Sequence, residues 1–262
     1  MPLSPLLAAY DAVLIDLDGC VWIGDQATPR AGEALAALRQ EGRKLAFLTN
    51  DPRHSPEDLV RKMWRLGLQG AVDEMVTVGG ALQYRLATAF PHGGTAIVVG
   101  AAAIHRHVND AGLRVVNGTD RAARADVVVV AGHDELTYAE LREATQAVLR
   151  GAPFLGAARD ANFPMPDGPW PGSGAVIAAV EYATGKRAET VGKPEPTMFE
   201  TALDRLGVER ALVVGDRPGS DIAGAHAAGL DAALVLSGGA DPDGIEPPPV
   251  AVAPDLGTLV LG

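Results

Sequence analysis

The sequence predicts an α/β protein: a parallel β-sheet with helices on its faces, and a second α/β unit set into the chain. Three observations predict it. Short apolar runs alternate with amphipathic helical stretches from residue 12 onward, the order that builds parallel sheets. The alternation restarts near residue 79 and runs long enough for a sheet of its own. Three apolar runs end in polar groups, at Asp16/Asp18, Thr49/Asn50 and Asp216/Asp221. In an open parallel sheet those ends share one edge, where ligands bind.

The first strand is 12–16, an apolar run into an acid. Ala31, Leu35 and Leu38 recur at helical spacing over 30–41, and Gly42 ends that helix. A second strand at 44–48 leads into Thr49-Asn50-Asp51-Pro52. Ser55-Pro56-Glu57-Asp58 starts a helix: a capping serine, proline at the first position and acids in the first turn. Leu59, Met63 and Leu66 form its apolar face, and Gly67 stops it. In the middle of the chain, 96–99, 113–116, 126–131 and 152–157 read as strands, with helices at 101–111 and 137–149. Residues 160–174 are rich in proline and glycine and read as a loop. Helices follow at 176–183 and 196–206, with a constrained turn at 190–194 between them. Strand 211–214, helix 222–228 and strand 232–236 close the pattern, followed by a proline-rich loop at 241–249.

Of the 262 residues 47% are apolar and 21% charged, enough apolar matter for packed cores. A net charge of −11 argues against a nucleic-acid partner or an anionic membrane surface. The single cysteine permits no internal disulfide and no cysteine-based zinc site. With no leader pattern and no stretch long enough to span a bilayer, the expected location is cytoplasmic.

A strand buried on both faces has no use for terminal carboxylates unless something charged meets them. One acid pair could cap a turn. Two pairs at two apolar strand ends point to chemistry. Asp16, Asp18 and Asp216 offer hard oxygen ligands suited to Mg²⁺. Asp16 can act as a nucleophile. Asp18, two positions on, can carry protons as acid and then base. Thr49 and Asn50 can donate to phosphoryl oxygens. Lys193, held between Gly192 and Pro194, supplies positive charge for the transition state. No P-loop, GxGxxG, GxSxG or HExxH pattern is present.

Asp16-Leu17-Asp18-Gly19, Thr49-Asn50, Lys193 and Gly215-Asp216 with Asp221 resemble the four ordered motifs of the haloacid dehalogenase superfamily of phosphohydrolases. Gly19-Cys20-Val21-Trp22, Gly192-Lys193-Pro194 and Pro171-Gly172-Ser173-Gly174 narrow the resemblance to the NagD / p-nitrophenyl phosphatase-like branch. The resemblance implies a Rossmann-like core over 1–80 and 176–262, with a C2-type α/β cap over 81–175. It implies Mg²⁺-dependent hydrolysis of phosphate monoesters of small metabolites through an aspartyl-phosphate. Asp16 would attack phosphorus, Asp18 would move protons, and Thr49, Asn50 and Lys193 would hold the phosphoryl group. Asp16, the Asp18 carbonyl and Asp216 would bind Mg²⁺, with Asp221 in support. Glycerol phosphate, phosphoglycolate, sugar phosphates, nucleotides and pyridoxal phosphate all stay open as substrates, and a homodimer stays open too.

Two departures stand out. Asp51 follows Thr49-Asn50 where many relatives carry Asn or Ser, with Arg53 near enough to offset it. In the cap, Ala157-Ala158-Arg159-Asp160 keeps only the aspartate of the relatives' Thr-Asn-x-Asp. Arg159, Asp160 and Asn162 are therefore the candidates for leaving-group contacts, with His133 and Asp134 next. Two rival readings share the scaffold. In a phosphotransferase or phosphomutase an alcohol would take the phosphoryl group. A non-catalytic metabolite-binding regulatory protein would be marked by loss of an acid at 16, 18, 216 or 221, and all four are present.

Overall fold

The computed structural model describes residues 3–165 and 168–262. The chain forms two compact units. The first takes the chain to Thr49, then Pro56–Val76 and Lys193–Gly262; the second takes Asn50–Ser55 and Thr77–Gly192.

In chain order the elements of the first unit begin with β1 (Ala12–Asp16), the short hairpin β2 (Trp22–Ile23) and β3 (Gln26–Ala27), α1 (Ala31–Gln40) and β4 (Lys44–Thr49). Then come α2 (Pro56–Arg65) and β5 (Met75–Thr77), whose last residue opens the second unit. That unit contains α3 (Val78–Ala89), β6 (Gly94–Gly100), α4 (Ala102–Asp110), β7 (Leu113–Val115), β8 (Val127–Gly132) and α5 (Tyr138–Leu149). It continues through β9 (Phe154–Gly156), β10 (Asn162–Met165), β11 (Gly168–Pro171), α6 (Ser173–Thr184) and β12 (Glu189–Thr190). The first unit resumes with α7 (Thr197–Leu206), β13 (Ala211–Gly215), α8 (Ala223–Ala227), β14 (Asp231–Val235), β15 (Ala251–Ala253) and α9 (Leu256–Leu261).

The first unit is Rossmann-like. Its sheet runs β15-β14-β13-β1-β4-β5, and the pairings among β15, β14, β13, β1 and β4 are parallel. β1 and β13 are buried along their whole length because helices cover both faces, which is why they read as unbroken apolar runs. From β1 the chain steps one way to β4 and β5, then returns to the other side of β1 as β13. The switch point therefore lies between β1 and β13, the crevice where open α/β sheets take ligands. α2 carries Glu57 and Asp58 in its first turn and Lys62 and Arg65 in its last, matching the helix dipole at both ends. Leu59, Val60 and Met63 bury its other face in the core with Trp22, Phe47 and Leu35.

The second unit has its own parallel sheet, β12-β9-β8-β6-β7. β8 is apolar throughout and fully buried. Thr137 and Glu140 form a reciprocal capping box at the start of α5.

The structure differs from four expectations. The boundary at 175/176 moves to 192/193: α6 packs Val176, Ile177 and Val180 into the second core, with Val128, Val130 and Phe154, and β12 pairs with β9. The boundary at 80/81 moves to 76/77, and Asn50–Ser55 joins the second unit. Within 160–174, expected as a loop, β10 and β11 form an antiparallel ribbon; positions 166 and 167 lie outside the described residues. The helix expected at 222–228 begins with a π turn, Pro218–Ile222, before α8. Among the described residues no helix is long and apolar enough to cross a membrane.

Candidate active site

β1 delivers Asp16 to the carboxyl edge of the first sheet and β13 delivers Asp216 one residue past its own end. Asp221 follows on the π turn, its Oδ2 accepting from the Arg217 backbone N–H at 3.0 Å. Single π turns of this kind recur at functional sites. Asp16, Asp216 and Asp221 are all buried and can each place an oxygen within 4.8 Å of the others.

A buried ammonium serves this cluster. Lys193, 3% exposed, donates to Asp16 Oδ1 and to Asp221 Oδ1, the latter at 2.6 Å, and reaches the Leu48 carbonyl at 3.4 Å. Burial pushes the lysine down, but Asp16 and then Asp221 more than reverse this, so it stays protonated. Three carboxyls around one ammonium leave excess negative charge. Burial drives Asp16 well above the ordinary carboxylate value, and Asp221 and Asp216 add to the rise against the pull of Lys193. Asp216 is pushed up to about 6, first by burial and then by Asp221.

A divalent cation fits this site on two observations. Among the described residues, Asp216 Oδ1 is buried with no hydrogen-bond partner, a costly state for a carboxylate oxygen unless a cation meets it. The backbone is also cleared around that carboxylate. A Cβ on Gly19 would fall 2.2 Å from Asp216 Oδ2, and one on Gly238 would fall 1.7 Å from it. Gly19 also has φ +91°, a conformation that strains any other residue.

Thr49 ends β4, which pairs with β1 so that Leu48 faces Asp16; Thr49 is thus one step beyond on the same edge, and it is buried. Asp18 lies past the end of β1, half-buried, and accepts a 2.7 Å bond from the indole N–H of Trp22. The sequence marks that tryptophan only as part of the family motif. Cys20 is fully buried in the core.

In the second unit Asn50 Nδ2 donates to Asp160 Oδ2 at 2.8 Å. Asp51 is neutralised at once. Arg53 donates to it through Nε at 2.9 Å, His54 Nδ1 lies 2.6 Å away, and the Arg53 backbone N–H adds a third bond. Burial alone would raise the Asp51 carboxyl, but the bonds and charges of His54 and Arg53 win and hold it below the usual range. The Arg53 guanidinium in turn lies 4.0 Å over the Phe163 ring. Arg159 is bound to Glu181 at 3.0 Å and to the Ala188 carbonyl at 2.8 Å, tying the end of β9 to α6. His133 sits 2.9 Å from Glu140. Asn162 opens β10, opposite Pro171, and is exposed, as is Asp134.

A family model for haloacid dehalogenase-like hydrolases matches residues 13–114, and a HAD-hydrolase-like model matches 190–259. D-glycerol 3-phosphate phosphatase of Mycobacterium tuberculosis is 36% identical over 229 residues, which is 87% of this chain and 64% of that protein. This chain thus spans less than two thirds of that relative's length. The crystal structure of a glycerol phosphate phosphatase from the same organism in complex with magnesium superimposes with a TM-score of 0.92 at 32% identity, covering 99% of this chain and 79% of that one. NagD from E. coli K-12 superimposes with a TM-score of 0.86 at 27% identity, covering 95% and 98%.

Proposed function

The chain belongs to the haloacid dehalogenase-like hydrolases, in their NagD-like phosphatase branch, and from that premise we propose that it hydrolyses phosphate monoesters of small metabolites with Asp16 as the nucleophile. The observation that carries the proposal is the buried cluster itself: three carboxylates and one lysine at the switch point of a parallel sheet, with an orphaned Asp216 oxygen. Asp16, Asp216 and the Asp18 carbonyl would hold Mg²⁺, with Asp221 in support. When bound, the ion supplies Lewis-acid charge that offsets the three acids.

The chain's own groups do the rest. An Asp16 carboxylate oxygen attacks phosphorus, and the bond from phosphorus to the ester oxygen breaks with its electron pair on that oxygen. Asp18, protonated, gives its proton to the departing alcohol. In the second half Asp18, now a carboxylate, takes a proton from water as the water oxygen attacks phosphorus. The bond from phosphorus to Asp16 breaks, and both aspartates return to their starting states. Lys193 neutralises charge throughout, and Thr49 and Asn50 donate to the phosphoryl oxygens. The first unit is the catalytic core in this reading, and the second is the cap domain. The deciding experiment compares wild type with Asp16→Asn for release of inorganic phosphate from p-nitrophenyl phosphate with Mg²⁺. Unchanged release by the variant would refute the proposal.

A further inference from the structure

Asp18 stands on a turn, where a short carboxylate with two equivalent oxygens would ordinarily sample several rotamers. Here it does not have that freedom. Trp22 Nε1 donates to Asp18 Oδ1 at 2.7 Å, at the short end for an N–H···O bond. The other oxygen, Oδ2, carries no hydrogen bond among the described residues.

The donor is itself fixed. Trp22 is fully buried. Its carbonyl accepts from the Gly19 N–H at 2.7 Å and its own N–H reaches the Leu17 carbonyl at 3.3 Å, so the tryptophan closes the turn that carries Asp18. Its backbone pairs with Ala27 in the β2–β3 hairpin. The Lys62 ammonium covers the ring, 4.5 Å from the centroid, a favourable cation–π placement. A buried indole N–H needs an acceptor, and Asp18 is the acceptor it has.

The chemistry of that donor has a consequence. Indole is a donor only. It bonds Oδ1 whether Asp18 is ionised or protonated, and by occupying a lone pair there it makes Oδ1 the less basic of the two oxygens. A proton held by Asp18 is therefore favoured on Oδ2, the oxygen without that bond. We infer that Trp22 is a positioning residue for the proton-transfer step: it fixes the Asp18 carboxyl and assigns proton carriage to Oδ2. The inference rests on Asp18 being the proton carrier proposed above.

The leaving group gives the test, because an alkoxide needs the Asp18 proton and a dinitrophenolate does not. The measured quantity is kcat/KM, which covers all steps through departure of the alcohol. Trp22→Phe keeps a ring and removes the N–H, and benzothienylalanine installed at position 22 keeps the full indole shape without the donor. General acid catalysis contributes roughly 10²–10⁴-fold. Both variants should lose about tenfold or more on glycerol phosphate and only about threefold or less on 2,4-dinitrophenyl phosphate. Equal losses on both esters from the benzothienyl variant, or none on either, would overturn the inference. Asp18→Asn separates the two levels. If it shows no preference between the esters, the proton-carrier reading itself fails; if it shows the preference and the position-22 variants do not, only the role of Trp22 falls.

Discussion

Lys193 Nζ lies 2.6 Å from Asp221 Oδ1 and donates to Asp16 as well, so a single buried ammonium bridges the end of β1 and the turn after β13. The two strands are neighbours in the sheet, but the motifs they carry are far apart in sequence. The lysine is what joins those motifs electrostatically, and all three side chains are nearly out of contact with solvent.

Removing the lysine should therefore damage both the fold and the reaction. Lys193→Met leaves Asp16 and Asp221 buried without their counter-charge, a change that costs about 3–5 kcal/mol where such pairs are broken. Denaturant unfolding should show a loss of that order, and phosphate release should fall about 10²–10³-fold. A midpoint unchanged from wild type would mean that the ion pair does not hold these strand ends together.

With Asp216 as a ligand, as proposed above, cation binding should be pH-dependent. Its folded-state value, about 6, lies above its ordinary value of 3.8. The sign follows. The metal-free fold holds this proton more tightly than the unfolded chain does, so the group favours folding at low pH and loses that contribution as pH rises through about 6. A cation needs the carboxylate and competes with the same proton. The rise in melting temperature on adding Mg²⁺ should thus be small near pH 5 and full near pH 7, reaching about 2.7 kcal/mol of stabilisation at a hundredfold excess over Kd. Asp216→Asn should weaken the pH dependence, with Asp16 supplying what is left; a shift independent of pH in wild type would count against Asp216 as a ligand.

The parts that the sequence disclosed are those where local pattern and topology agree. The apolar runs at β1, β4 and β13 declare buried strands, and parallel order then sends Asp16, Thr49 and Asp216 to one edge without further information. The missed parts depend on which surface a side chain meets. Val176, Ile177 and Val180 announce a buried helix face, but not that the sheet they bury against belongs to the second unit. Prolines at 164, 169 and 171 disguised the β10–β11 ribbon, since an isolated two-stranded ribbon tolerates residues that a central strand rejects. Gly79-Gly80 hid α3, whose start is capped by Thr77 and whose Gly79 is needed because a Cβ there would meet His107 at 2.4 Å. The Trp22–Asp18 bond spans four residues, but only the folded turn brings the indole back to the carboxylate.

Asn50 and Asp160 should behave as one unit. Their 2.8 Å bond lies within the second unit and holds the amide that the proposed function assigns to the phosphoryl group. Asn50→Ala and Asp160→Ala should each lower kcat/KM, and the double variant should lose little more than the worse single one. A coupling of roughly 0.5–3 kcal/mol is the range for residues in direct contact. Strict additivity of the two losses would show that Asp160 acts elsewhere, for instance on the leaving group.

At the amino-terminal edge of the first unit's sheet a tyrosine gives an alkaline signature. Tyr10 Oη donates to Asp231 Oδ2 at 2.8 Å. Burial, then the bond and the charge of Asp231, push the phenol up from 10.0 to about 12. A raised value means the folded chain keeps the proton longer than the unfolded one. The contribution is therefore fully present below about pH 10 and is lost as pH rises through about 12. The difference in phenolate absorbance between wild type and Tyr10→Phe should titrate with a midpoint near 12. The melting temperature of wild type should exceed that of the variant at pH 8, and the gap should close over the same interval. A difference titration centred at 10 would show that Asp231 does not hold the phenol, and the gap in melting temperature would then have to come from packing alone.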